Sequence, residues 1–190
     1  MEKRDTILQA GLSVLYLHGY NGTGVKDIVD EAGIPKGSFY NYFKSKEDFA
    51  IEALQRVAAE GLQKAEIMLI HGDGPPLHRL EGFFQHGLRH AQNEDFRLGC
   101  LMGNLCQELS DVNDRVRGTI SRLFRSLTAV FAQCLAEAQA KGELPPDRDV
   151  DQLADFIFNA WEGALLRMKC EKSAQPLDDF LQTLPHILRR

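Results

Sequence analysis

Between Ala32 and Lys46 the chain carries no acidic residue. Within that stretch Lys36, Lys44 and Lys46 supply positive charge, and Ser38, Tyr40, Asn41 and Tyr42 supply hydroxyls and a carboxamide. Cations and hydrogen-bonding groups gathered without opposing carboxylates suit a polyanion, because phosphates take lysine and hydroxyl contacts while base edges favour asparagine and lysine. Gly37 and Ser38 are small enough for the backbone to approach such a partner closely. Lys36, Ser38 and Asn41 are expected near base edges, Tyr40 against sugar or phosphate, and Tyr42 and Lys46 against the backbone, with Lys44 a weaker member. Thr23 and the amides that open the next helix are expected at a phosphate, since helix starts present unpaired N–H groups. The alternative is that Gly-Ile-Pro simply joins two helices and the aromatics are core.

A second group of residues suits a small apolar ligand. His86 and His90 are four apart on one helix, Asn104 interrupts an apolar face, and Phe83, Phe124, Phe158 and Trp161 could form walls; pockets are apolar with few polar handles. Packing roles remain the alternative for each. Cys100, Cys106, Cys134 and Cys170 show no paired metal-ligand spacing, and no carboxylate or thiol completes a motif around His86 and His90. Free thiols and no metal are therefore expected. Cys100 is expected near a helix start, where amides and dipole favour a thiolate, or else as a buried thiol beside the pocket. Cys106 lies six residues on, about 9 Å along an ideal helix and on another face, which excludes an intrahelical disulfide without unwinding. There is no nucleophile elbow, phosphate-cradling loop, His-Glu metal motif or dinucleotide fingerprint. Neither catalysis nor a cofactor is expected.

The elements that must carry these residues read as helices throughout. Apolar residues recur at helical intervals over about 4–18, with Gly19 as the stop, and over 25–32, with Thr23 as N-cap and Gly33 just past the end. A brief helix is expected over 36–42, and a longer one capped by Ser45 should run to about residue 69. After the His71–Pro76 punctuation, further helices are expected over 77–92, 98–109, 116–138, 150–169 and 176–188, with Pro185 bending or ending the last. No strand or internal repeat is evident. The fold class is all-α, with a helix-turn-helix head over residues 1–45 and a helical body over residues 46–190, to which the resemblance given below assigns ligand binding and dimerisation.

The chain has 190 residues, 44% apolar and 26% charged, with a net charge of −5. That composition fills a core and excludes a disordered chain. An acidic chain does not coat nucleic acid through bulk charge, so the positive field over 32–46 is local. No apolar run reaches membrane-spanning length, and Met1 to Asp5 do not open a secretory signal. A cytoplasmic protein without membrane contact is expected.

The run from Ile28 to Phe49, with Ala32-Gly33, Lys36-Gly37-Ser38, Phe39-Tyr40, Tyr42-Phe43 and Ser45-Lys46-Glu47, resembles the amino-terminal signature of TetR-type transcriptional repressors. About the first 50 residues carry the resemblance; Gly24 departs from the usual polar start of the second helix. It implies a homodimer, a head that binds palindromic double-stranded operator DNA, and a body that takes a small-molecule or reactive effector. It also implies dimerisation through the last two long helices, with Trp161, Leu165, Phe180, Leu184 and Ile187 as interface candidates or else internal packing. Gly99-Cys100-Leu101 with the later Glu108-Leu109-Ser110-Asp111 resembles the electrophile- and oxidant-sensing branch, which would make Cys100 the sensing thiol. A DNA-binding activator of the same fold and a non-enzymatic dimeric ligand-binding scaffold are the alternatives.

Overall fold

The computed structural model describes residues 3–188, so Met1 and Glu2 lie outside the described residues. The fold is all-α: α1 (Lys3–His18), α2 (Val25–Glu31), α3 (Lys36–Phe39), α4 (Lys46–Ala65), α5 (Pro76–Asn93), α6 (Leu101–Leu109), α7 (Asp114–Ala140), α8 (Val150–Glu171) and α9 (Gln175–Leu188). A five-residue π turn, Glu66–Ile70, ends the run of α4. None of the helices is long and apolar enough to cross a membrane, among the described residues.

Two compact units form. The first combines residues 1–58 with 101–122, and the second combines 59–100 with 123–190. Helices α4 and α7 therefore each contribute to both, and α6 belongs with the first.

In the first unit α1 packs on α2 and α2 on α3. Its core is Ile7, Leu15, Ile28, Phe39, Phe49 and Leu54, all fully buried. Phe39, Phe43 and Phe49 stack with ring centroids 5.1–5.8 Å apart. Gly11 of α1 lies so close to α4 that a Cβ there would stand 2.2 Å from Phe49 Cζ. Helix α2 ends in a Schellman turn: Gly33 N–H donates to Asp30 O at 3.1 Å and Ile34 N–H to Val29 O at 3.0 Å, with Gly33 at φ +67°. That left-handed residue is why glycine stands there.

Several local expectations are corrected. Thr23 is not the N-cap of α2; Gly24 is, and Asp27 Oδ2 accepts its N–H at 2.7 Å, replacing the side-chain cap glycine lacks. Helix α3 stops at Phe39, and residues 40–43 continue as hydrogen-bonded turns onto Ser38 and Phe39 carbonyls. Helix α4 gives way to the π turn at Glu66 rather than continuing to Leu69. Helix α6 begins at Leu101, leaving Cys100 just outside it. Pro185 lies inside α9 without ending it. Ser45 does cap α4, its Oγ accepting Asp48 N–H at 3.0 Å.

In the second unit α9 packs on both α8 and α5. An aromatic core joins Phe83, Phe84, Phe131, Phe158, Trp161 and Phe180, with Phe84 5.0 Å from Trp161 and 4.9 Å from Phe180 between ring centroids. The loop after the π turn is tied by buried Arg79, which donates to Gly72 O at 3.0 Å and pairs with Glu137. Asp149 caps α8 by accepting the N–H groups of Asp151 and Gln152.

Candidate functional site

Helix α3 is anchored from within by Phe39, which is completely buried. Lys36, Gly37, Tyr40, Asn41 and Lys44 are exposed, while Ser38 and Tyr42 are half-buried. Tyr40 keeps 56% of its surface exposed although its ring makes an edge contact with Phe39, at 5.4 Å. Gly37 has nothing within 4 Å of where a Cβ would lie, and its φ is not left-handed. Neither space nor backbone within the subunit calls for glycine there. The result is a short helix held by one buried aromatic, offering a lysine, a bare backbone segment, a phenol and a carboxamide to solvent.

Two of the residues expected on this surface are engaged elsewhere. Thr23 is 1% exposed and its Oγ1 donates to Gly19 O at 2.6 Å, so its hydroxyl closes the turn instead of facing outward. Lys46 donates from Nζ to Tyr20 O at 3.0 Å and Thr23 O at 2.9 Å, and its ammonium stands 4.0 Å from the Tyr20 ring centroid. Sequence could not show this, because the partners are more than twenty residues away. Burial, with the Glu47 carboxylate adding to it, pushes the Tyr20 phenol above its ordinary pKa. Two further ties secure the start of α4: Asn113 Nδ2 donates to Glu47 Oε2 at 2.8 Å, and Arg115 pairs with both Glu47 and Asp48. The Arg115 and Ser45 hydrogen bonds hold the Asp48 carboxyl below its ordinary range.

The second unit contains a cavity of about 150 Å³. Gly87, His90 and Ala91 of α5, the Phe96–Gly99 segment, and Trp161, Leu165 and Met168 of α8 line it, with Glu94 and Arg97 as charged members. Gly87 makes room for the indole: a Cβ would lie 2.6 Å from Trp161 Cζ2. His90 and Trp161 thus do meet at one cavity, whereas Phe83, Phe124 and Phe158 belong to the aromatic core rather than to this wall. His86 is not in the lining, and burial pushes its pKa down. Asn104 lies in the first unit.

Beside the cavity lining in sequence are two residues that hydrogen-bond one another. Cys100 follows Gly99, and Glu162 follows Trp161; the Glu162 carboxyl bonds the Cys100 thiol. Burial pushes the Glu162 pKa up to about 7, and the Cys100 hydrogen bond opposes that rise. Sequence reasoning missed Glu162, whose partner is sixty-two positions away. Cys134 is buried, donates to Pro76 O at 3.4 Å and has its pKa pushed up by burial to about 11, an inert thiol. Among the described residues no three His, Cys, Asp or Glu side chains group closely enough to hold a metal.

The expected interface residues divide. Trp161 and Leu184 are buried within the protomer, and Leu165, Phe180 and Ile187 are half-buried. Trp161 and Leu184 are corrected accordingly: the aromatic core and the α8–α9 contact already use them. The exposed face of α8 instead carries Phe156, Asn159, Gly163, Leu166 and Cys170, with Phe156 and Leu166 each 53% exposed. Their 3-4-3-4 spacing sets them along one stripe of the helix.

Comparison with known proteins gives a consistent result. Residues 7–53 match the family described as bacterial regulatory proteins, tetR family, and residues 76–184 match the tetracyclin repressor-like C-terminal domain. The HTH-type transcriptional repressor DhaR of Mycobacterium sp. (strain GP1) is 38% identical, over 94% of this chain and 88% of that one. The crystal structure of regulatory protein TetR from Rhodobacter sphaeroides superposes with a TM-score of 0.91 at 36% identity, over 96% of this chain and 97% of that one. That of the reduced form of E. coli NemR gives 0.89 at 29% identity, over 98% and 97%.

Proposed function

Because the chain belongs to the TetR family of bacterial regulatory proteins, we propose that it is a cytoplasmic homodimeric transcriptional repressor that binds palindromic operator DNA and lets go on meeting a small or thiol-reactive effector. The observation that carries this reading is the outward surface of Lys36, Gly37, Tyr40, Asn41 and Lys44 around the buried anchor Phe39, in a stretch without acidic residues. Residues 1–45 supply the reading head and 46–190 the body. The exposed α8 stripe supports pairing with a second copy, and two-fold symmetry then sets the heads about 34–36 Å apart, or a multiple of it, along the duplex.

The cavity walled by Trp161, Leu165, Met168 and Phe96, with His90 and Arg97 as polar handles, suits a small flat apolar molecule with one polar substituent. Cys100 is the thiol that would meet a reactive one. Addition to an activated alkene forms an S–C bond, breaks the C=C π bond, and carries the thiol proton by way of the Glu162 carboxylate to the α-carbon. The sign of regulation follows the repressor DhaR.

The test is selection of bound duplexes from a random pool, followed by fluorescence anisotropy across salt. A preferred palindrome is expected, and Lys44→Ala, at an exposed lysine expected against the backbone, should weaken binding to every duplex and lower the salt slope by about one. Absence of a salt-sensitive duplex preference overturns the reading.

A further inference from the structure

The turn between α1 and α2 is held by two side chains of opposite charge. Glu108, from α6, accepts the Tyr20 N–H on Oε1 at 3.0 Å and the Asn21 N–H on Oε2 at 2.8 Å. Lys46, from α4, donates to the Tyr20 and Thr23 carbonyls. The amides of the turn thus face a carboxylate and its carbonyls face an ammonium, so both contacts are charge-assisted. Gly19 makes the approach possible: its φ is +69°, and a Cβ there would lie 2.3 Å from Glu108 Oε1. Within the turn itself, the Thr23 N–H donates to Tyr20 O at 3.2 Å and the Thr23 hydroxyl to Gly19 O, and two residues later the chain enters the first turn of α2.

We propose that Glu108 is a positioning residue for operator binding, fixing from α6 the turn that aims α2 and α3 at the duplex. This rests on the reading that α2 and α3 meet DNA. Arg115 provides the contrast: it joins α7 to Glu47 and Asp48 on α4 and does not touch the turn. A general loss of packing would follow from either residue, whereas a loss of aim follows from Glu108 alone.

The experiment compares full-length wild-type, Glu108→Gln, Glu108→Ala and Arg115→Ala proteins by operator affinity, thermal unfolding and amide hydrogen exchange over residues 19–24. Glu108→Ala should lower operator affinity by about tenfold and speed exchange at Tyr20 and Asn21 by at least as much, with the melting temperature lowered by no more than a few degrees. Glu108→Gln keeps one carbonyl acceptor and should fall between it and wild type. Arg115→Ala should stay within about twofold of wild type in both. Operator affinity of Glu108→Ala within about twofold of wild type, or equal exchange at the two amides, overturns the proposal. If Glu108→Ala does not fold, Glu108→Gln decides by the same two readouts. If wild type binds no duplex, the DNA reading falls, and unchanged exchange in the variants removes the latch as well.

Discussion

Gly37 and Phe39 lie two residues apart on α3 with opposite exposures: the first has no neighbour within 4 Å of its missing Cβ, and the second is fully buried. A Cβ at position 37 therefore meets nothing else in the subunit, and the side chain it carries would enter the space proposed for the duplex. Gly37→Leu should leave the melting temperature unchanged or slightly higher, since glycine disfavours helix by about 1 kcal/mol, while operator affinity falls by at least about tenfold. Anisotropy and thermal unfolding on the same preparation check both halves.

The exposed α8 stripe should behave as an interface between copies. Phe156→Glu combined with Leu166→Glu places charges where the partner helix would bury them, and burying an unpaired charge is strongly unfavourable. Sedimentation should show a monomer with native helicity, and operator binding should weaken with it. A dimer of unchanged affinity would rule the stripe out.

Glu162 ties stability to pH. An unfolded glutamate titrates near 4.3, whereas burial pushes the folded carboxyl to about 7. The folded state holds its proton longer, so stability falls as pH rises from about 4.3 through 7 and then levels off. Glu162→Gln removes that dependence. The two proteins should melt alike near pH 4.5 and separate toward pH 8, the variant being more stable by roughly 2–3 kcal/mol at most. Thermal scans across that range test it; curves that stay parallel refute the assignment.

Cys100 should carry the response to electrophiles. N-ethylmaleimide should release operator from wild type and not from Cys100→Ala, with Cys134 unlabelled by peptide mass spectrometry because it is buried. Identical release from both proteins would exclude Cys100 as the sensing thiol.

The helices were readable from apolar spacing because periodicity reports which face is buried. The Gly33 stop and the Ser45 cap were readable because their chemistry is local. What escaped was long-range. Nothing local tells that Glu108 meets Tyr20 and Asn21, that Lys46 turns inward, or that Cys100 meets Glu162. Alpha8 shows the limit most clearly. It has two apolar stripes, one through Ile157, Phe158 and Trp161 and another through Phe156 and Leu166, and apolarity alone does not say which is covered by the subunit itself.

The contact of Gly11 with Phe49 leaves no slack between α1 and α4, and the stacked Phe39, Phe43 and Phe49 lock α3 onto the same block. On the proposed function, the spacing of the two half-sites then becomes a determinant of affinity in its own right, and an operator whose half-sites were moved apart by a few base pairs should bind more weakly.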